Sequence, residues 1–320
     1  MTTHIRHGGS HRDVSVTRGD VERAREVLDG RIYRTPTLRS TALGVSLKAE
    51  LFQKTGSFKA RGALNRIVAL TPEERQRGVV TWSAGNHAQA VAWAAREEGV
   101  DCLVQMWEGV SPLKVEVTRG FGATVDLSSP DPAAAYDSTL AVVEEAGRVF
   151  VHPHSDPFVV AGHGTLALEL LEDLPELETV VVGAGGGGLI SGIVTALDGR
   201  ARVIGVAPER AQAFPAGLAA GHSVPVETDT IADGLAPPFA GELPLKICRG
   251  KVETVLVTED EIAEGMRFLY SRAKLACEPA GAAAAGAVLA GKVDAGRNVA
   301  VIVSGGNVEP KQAAAILREQ

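Results

Sequence analysis

Along most of this chain, short apolar runs take turns with stretches in which apolar residues recur at helical spacing. Nine runs read as strands: SLKAELF, GVVTW, VDCLVQMW, ATVDL, RVFVH, ETVVVG, RVIGVA, VETVLV and NVAVIVSG. Several are apolar throughout rather than alternating, the pattern of parallel strands covered on both faces. Between most of them lie amphipathic helical patterns. Ala60, Ala63, Leu64, Ile67 and Val68 form one apolar stripe, and Asp20 is placed to cap a helix carrying Val21, Ala24, Val27 and Leu28. Thr258 and Glu261 form a capping box, and EPAGAAAAGAVLAG predicts a tightly packed helix. Repeated β-α-β units predict an α/β protein with open, doubly wound, mainly parallel sheets, and the length suggests two of them. Ligands are then expected beyond the carboxyl ends of the strands, where loops become helix starts.

Composition narrows the classes of function. The 320 residues are 45% hydrophobic with a net charge of −7 and no basic stripe, so nothing electrostatic favours a nucleic acid or an anionic membrane as partner. No apolar run is long enough to span a bilayer, and the opening MTTHIRHGGSHRD is too polar for a secretory signal, so a cytoplasmic location is expected. Cys102, Cys248 and Cys277 are widely separated and outside zinc-type spacing, which suits reduced thiols. His4, His7 and His11 are interrupted by Gly8 and Gly9, so a disordered tail is expected there rather than a metal site.

Four strand-to-helix junctions carry candidate chemistry. In KTGSFKARGAL, Lys59 borders the apolar stripe, where a lysine either snorkels to water or is held for chemistry; Thr55, Gly56 and Ser57 supply an N-cap and a turn. In TWSAGNHAQAVAWAA, the chain turns through Ser83, Ala84, Gly85 and Asn86 into a helix with Ala88, Val91, Ala92 and Ala95 on one face, and its free backbone N–H groups can hold an anion such as a carboxylate. In VVVGAGGGGLISG, four consecutive glycines let the main chain curl its donors around a phosphate. In VIVSGGN, the last strand delivers Ser304 to a Gly-Gly turn. The glycine loop also fits G-x-G-x-x-G, with Glu209 placed 21 residues beyond Gly188 as a ribose-binding acid, so a nicotinamide-dependent oxidoreductase stays open from pattern alone.

Taken together, TGSFKARGA, SAGNHAQ, AGHGTLALE, GGGGLISG, ADG, EPAGA and SGGN resemble, in order and spacing, the serine/threonine dehydratase and serine racemase group. These are fold-type II enzymes, tryptophan synthase β-like, that use pyridoxal 5′-phosphate. The resemblance runs from about Ile32 to Asn307. It implies that Lys59 bonds covalently to the cofactor, that Phe58 packs against its ring and that Asn86 hydrogen-bonds its 3′-oxygen. Gly185, Gly186, Gly187, Gly188 and Leu189 would bind the phosphate through backbone donors, Ser304 would face the ring nitrogen, and Glu278 would lie near the ring. Ser83, Ala84, Asn86 and His87 would offer main-chain donors to the substrate carboxylate. The implied reaction is dehydration and deamination of L-threonine, L-serine or a related 3-hydroxy amino acid to a 2-oxo acid and ammonia, with the Lys59 amine taking the Cα proton. A serine at the ring nitrogen moderates the electron sink and favours elimination. The implied architecture is a larger domain of residues 1–74 and 155–320 and a smaller one of residues 75–154, and a homodimer is expected by analogy.

Departures from the group's pattern refine these expectations. Racemases of the group place a serine where this chain has Ala84, and alanine has no proton to give, so dehydratase is favoured over racemase. The acidic cation-binding pattern is missing from GVAPERAQAF, which has Ala207 and Ala213, so no metal is expected there, and Glu209 reads as a solvated acid in the first turn of a helix. Ala236, Pro237 and Pro238 stand where racemases carry polar residues. His154 replaces a smaller polar residue and is a candidate substrate contact; His163 stands where glutamine is usual. Serine, threonine and bulkier substrates all remain open. Only 13 residues follow Asn307, so no appended regulatory domain is expected.

Overall fold

The computed structural model describes residues 15–293 and 296–318; His4, His7 and His11 lie outside them. Ten strands form two sheets: β1 (Thr37–Ser40), β2 (Val45–Ala49), β3 (Val79–Trp82), β4 (Cys102–Trp107), β5 (Thr124–Ser129), β6 (Val149–Phe150), β7 (Thr179–Gly183), β8 (Arg202–Pro208), β9 (Glu253–Val257) and β10 (Val299–Val303). One sheet runs β1-β2-β10-β7-β8-β9 and the other β5-β4-β3-β6. Every pairing is parallel except β1 with β2. All nine predicted runs contain a strand. The tenth, β1, is the antiparallel edge, and its sequence TLRS is too short and too exposed to leave an apolar signature.

Strands β2, β7 and β10 are buried along their whole length, β7 and β10 as largely apolar runs and β2 with the polar Ser46 and Lys48 buried in it. Their side chains divide between two cores, one on each face of the larger sheet. Val181, Val301 and Val303 pack on one face with the helices Glu259–Phe268 and Pro279–Leu289; Val180, Val182, Ala300 and Ile302 pack on the other with Pro157–Asp173 and Gly188–Leu197. A third core lies on the smaller sheet. It takes in Ala60, Ala63, Leu64 and Ile67, so the helix Lys59–Val68 is the seam between the two sheets.

That seam is fixed by close approach and by charge. A Cβ on Gly62 would lie 2.6 Å from the Val159 carbonyl oxygen, so only glycine lets the helices Lys59–Val68 and Pro157–Asp173 touch there. One residue earlier, the fully buried Arg61 makes paired bonds to Glu50 (2.8 and 2.8 Å) and to Glu169 (2.6 and 3.1 Å). Lys48, also fully buried, reaches Glu169 at 2.6 Å and donates to the Thr35 carbonyl at 2.8 Å. The Arg61 guanidinium outweighs burial and holds the Glu50 carboxyl below its ordinary range. This cluster explains why the SLKAELF strand stops at Ala49: Glu50 turns away from the sheet into a short 3-10 turn and toward Arg61.

One of the two capping expectations changes. Thr17 caps the first helix, Arg18–Leu28, and Asp20 is its third residue, completing a capping box rather than starting it. Thr258 and Glu261 do form the predicted box. The alanine-rich segment is the helix Pro279–Leu289, which crosses its neighbour where Gly265 and Gly286 meet. Among the described residues no helix is long and apolar enough to cross a membrane.

Removing the Arg61 guanidinium leaves the buried Glu50 carboxylate without an ion pair and Glu169 with Lys48 alone. Arg61→Ala is expected to lower the unfolding free energy by about 3–5 kcal/mol, read by urea denaturation; a loss within error of zero would show the cluster to be dispensable.

Candidate active site

Lys59 opens its helix directly after a segment tied to the end of β10 by backbone bonds. Phe58 N donates to Ser304 O (3.1 Å), Gly306 N to Gly56 O (2.9 Å), and Ser57 pairs with Gly305. Glu278 N also donates to Gly305 O, at 3.1 Å. The cap expected from Thr55 or Ser57 is not made. Phe58 holds the cap position without a side-chain bond, and the Thr55 and Ser57 hydroxyls are buried with no partner. The register is instead set by the ladder to β10.

The Lys59 amine donates to the Pro153 carbonyl at 2.8 Å and stands 5.2 Å from the centre of the Phe58 ring. It lines a cavity that opens to solvent, and no ion pair forms with it among the described residues. Desolvation without a compensating anion lowers its pKa from 10.5 to about 8.

On the opposite wall, β3 ends at Trp82 and the helix Asn86–Glu97 begins without a side-chain cap, so its first N–H groups are free for a ligand. This helix is buried from His87 to Ala95, on all sides rather than along the one face expected. Asn86 Nδ2 donates to Glu278 Oε1 at 2.7 Å, and Asn307 Nδ2 donates to Asn86 Oδ1 at 2.7 Å. Burial, reinforced by the negative charge of Asp233, pushes the Glu278 carboxyl up to about 8. At neutral pH it is therefore mostly a neutral acid. The His87 ring lies 3.0 Å from the Val151 carbonyl through Nε2, and desolvation holds it well below its ordinary pKa.

The glycine loop follows β7 and leads into the buried helix Gly188–Leu197, whose cap residue Gly187 has φ 92° and makes no side-chain cap bond. A Cβ on Gly186 would meet the His154 ring at 2.5 Å, so the loop and His154 can pack together only with glycine there. His154 thus stands against the glycine loop. Its Nε2 is buried without a partner, and desolvation holds the ring neutral. Ser304 sits nearly buried just past the end of β10.

One cavity of about 550 Å³ gathers all of these groups. Its lining contains Phe58, Lys59, Ser83, Ala84, Asn86, His87, His154, Gly185, Gly186, Gly187, Gly188, Leu189, Glu278 and Ser304, every residue that the dehydratase and racemase resemblance implied for cofactor or substrate. Sequence reasoning missed others. Asn307, quoted only as part of SGGN, holds Asn86; Lys114 and Asp233, 119 residues apart, pair at 2.5 Å on the cavity wall; Trp82 forms part of its apolar side. Nothing in local sequence marks such long-range partners. Glu209, expected either as a ribose ligand or in the first turn of a helix, is in neither place. It lies exposed in the turn before the helix Ala213–Ala220, outside the cavity, with its carboxylate 3.8 Å from Lys292 Nζ.

Comparison with known proteins matches residues 28–305 to the family model described as pyridoxal-phosphate dependent enzyme. The chain is 43% identical over 306 residues to the L-threonine ammonia-lyase of Thermotoga maritima, covering 92% of this chain and 76% of that protein. It is 40% identical over 311 residues to the catabolic L-threonine dehydratase TdcB of Escherichia coli K12, covering 93% and 94% of the two chains. The solved structure of maize serine racemase superposes with a TM-score of 0.88 at 33% identity, over 94% of this chain and 97% of the other.

The two perturbed groups bend the pH dependence of stability in opposite senses. Between about 8 and 10.5 the unfolded chain binds a proton at Lys59 that the folded chain does not, so this residue's contribution rises with pH. Between 4.5 and about 8 the folded chain holds a proton at Glu278 that the unfolded chain lacks, so that contribution falls as pH rises. Acylation of Lys59 in cofactor-free protein, followed by peptide mass spectrometry across pH, should show a midpoint near 8; a midpoint at the ordinary lysine value would contradict the site as described.

Proposed function

The chain belongs to the family of pyridoxal-phosphate-dependent enzymes, and from that premise we propose that its cavity carries pyridoxal 5′-phosphate on Lys59 and dehydrates and deaminates L-threonine, L-serine or a related 3-hydroxy amino acid. It is a pyridoxal-phosphate-dependent ammonia-lyase, releasing a 2-oxo acid and ammonia. The observation that carries the reading is the joint lining of one cavity by a half-buried lysine amine with pKa about 8 and a four-glycine loop at a helix start. Their chemistries fit the two ends of that cofactor: an aldehyde needs a neutral amine, and a phosphate needs free N–H donors and a helix N-terminus. Ser304 and Asn86 complete the fit, as a hydroxyl for the ring nitrogen and an amide for the ring oxygen.

When bound, the cofactor supplies an electron-withdrawing ring conjugated to the substrate nitrogen, which stabilises negative charge at Cα. The protein does the rest. Backbone N–H groups from Ser83 to His87 hold the substrate carboxylate and so fix which bond to Cα faces the lysine. The Lys59 amine, whose uncharged form is brought within reach near neutral pH by desolvation, takes the Cα proton. Glu278, neutral near pH 7, braces Asn86 and adds no negative charge to the site. Ser304 contributes a hydroxyl where a carboxylate would favour a charged ring nitrogen, which supports elimination over a long-lived carbanion.

The fold is shared with a racemase and does not separate the two reactions. Ala84 supports elimination, because the cavity wall at that position offers no acid to return a proton to the second face of Cα. The sheets are read as two lobes, residues 75–154 and the remainder, closing on the substrate between them. A cytoplasmic setting is supported by three buried thiols, each pushed up to about 12 by burial and none paired with another.

Two variants test this. Lys59→Ala should lose the visible absorption band that the purified protein acquires with pyridoxal phosphate and lose more than about a hundredfold in 2-oxo acid release; an unchanged band would remove Lys59 from its role. Ala84→Ser should gain measurable interconversion of L- and D-serine by chiral chromatography, while the parent enzyme yields 2-oxo acid with no accumulating D-serine.

A further inference from the structure

We infer that this site selects 3-hydroxy amino acids whose β-carbon carries an apolar, ring-sized group, and that Trp82, Pro237 and Pro238 do the selecting. The inference deepens the dehydratase reading and rests on it.

The residues flanking the proposed carboxylate loop are apolar. Trp82 immediately precedes Ser83 and lines the same cavity. Its indole N–H is spent on the Pro132 carbonyl at 2.9 Å, so the side chain offers the cavity ring carbons and no donor. Trp82 is also held still. Its ring stacks on Phe239 with centroids 6.1 Å apart and an interplanar angle of 14°, and meets Tyr136 edge-on at 5.1 Å. Phe239 directly follows Pro237 and Pro238, which also line the cavity and have no backbone N–H to offer. The contact that orders Trp82 therefore orders the proline pair as well, and the two surfaces come from opposite sides of the junction between the sheets. Beyond Trp82 the apolar lining continues through Trp107, Leu113 and Val117.

Charge excludes the acidic alternative. The only lysines or arginines lining the cavity among the described residues are Lys59, assigned to the cofactor, and Lys114, already paired with Asp233 at 2.5 Å. The lining histidines, His87 and His154, are held neutral by desolvation. A second substrate carboxylate would find no free cation and would meet Asp233. Serine, with only hydrogens beside the hydroxyl on its β-carbon, leaves the apolar wall in contact with water; threonine covers it with one methyl; a phenyl ring covers it most fully.

The test is a set of kcat/KM values for L-serine, L-threonine, 3-phenylserine and 3-hydroxyaspartate with the cofactor-loaded enzyme, joined to the shift of its visible absorption band on titration with L-alanine and L-phenylalanine, which have no hydroxyl to lose. We expect 3-phenylserine to exceed serine by about tenfold or more, 3-hydroxyaspartate to be poorest, and L-phenylalanine to bind more tightly than L-alanine. In Trp82→Ala the ratio of 3-phenylserine to serine should fall by about tenfold, and the ratio is insensitive to how much of the variant folds. Turnover of serine or threonine with 3-phenylserine inert, or a preference for 3-hydroxyaspartate, overturns the selectivity and leaves the dehydratase reading standing. Turnover of none of the four by enzyme that carries the cofactor overturns the reading itself.

Discussion

A half-buried lysine amine set in a pocket with a carbonyl for a partner and no carboxylate is the constraint on which the site depends. An ion pair at Lys59 would keep the amine charged and useless as a nucleophile or base near neutrality. Desolvation alone brings it to about 8, within reach of both roles. The price appears elsewhere in the structure, because the one carboxyl next to Asn86 is kept from countering the amine and the nearby imidazoles are kept from adding charge of their own. Glu278 is pushed to about 8, and the histidines 87, 154 and 163 are all held well below their ordinary range by burial.

The fold enforces this by sorting charge along a single helix. Lys59 faces the cavity uncompensated, while Arg61, two residues on, carries a full set of carboxylate partners in a buried cluster with Glu50 and Glu169. The first arrangement favours chemistry and the second fixes position. With Gly62 against the Val159 carbonyl and the Phe58 segment bonded to the end of β10, the lysine's place relative to Ser304 is set by main-chain contacts. The glycine loop, the Asn86 helix start and Ser304 all lie at carboxyl ends of parallel strands, where this architecture leaves open ground for ligands.

Much of this was legible in the sequence because it is local. Strands announce themselves where apolar residues run unbroken, as in β7 and β10, or alternate, as in β2 and β5, so nine of the ten are legible, while β1, a half-exposed antiparallel edge, is not. The glycine loop, the SAGN turn and Lys59 are likewise short motifs whose backbone chemistry can be read in place. What could not be read is tertiary. The cap of the first helix sits at Thr17 and not Asp20 by a choice among neighbours, and the turn before Lys59 is closed by a ladder to residues far along the chain. Asn307 orienting Asn86, Lys114 meeting Asp233, and the raised pKa of Glu278 all come from segments brought together by folding. His154 shows the intermediate case, since its unusual residue type was visible but its packing against Gly186 was not.

The central claim is that position 59 is where the cofactor is held. Borohydride reduction of the protein loaded with pyridoxal phosphate, followed by proteolysis and mass spectrometry, tests it most directly. The account predicts the mass of a reduced phosphopyridoxyl group on the peptide containing Lys59 and on that lysine alone. Finding it instead on Lys54 or Lys114, or finding Lys59 unmodified in protein that carries the cofactor, would contradict it.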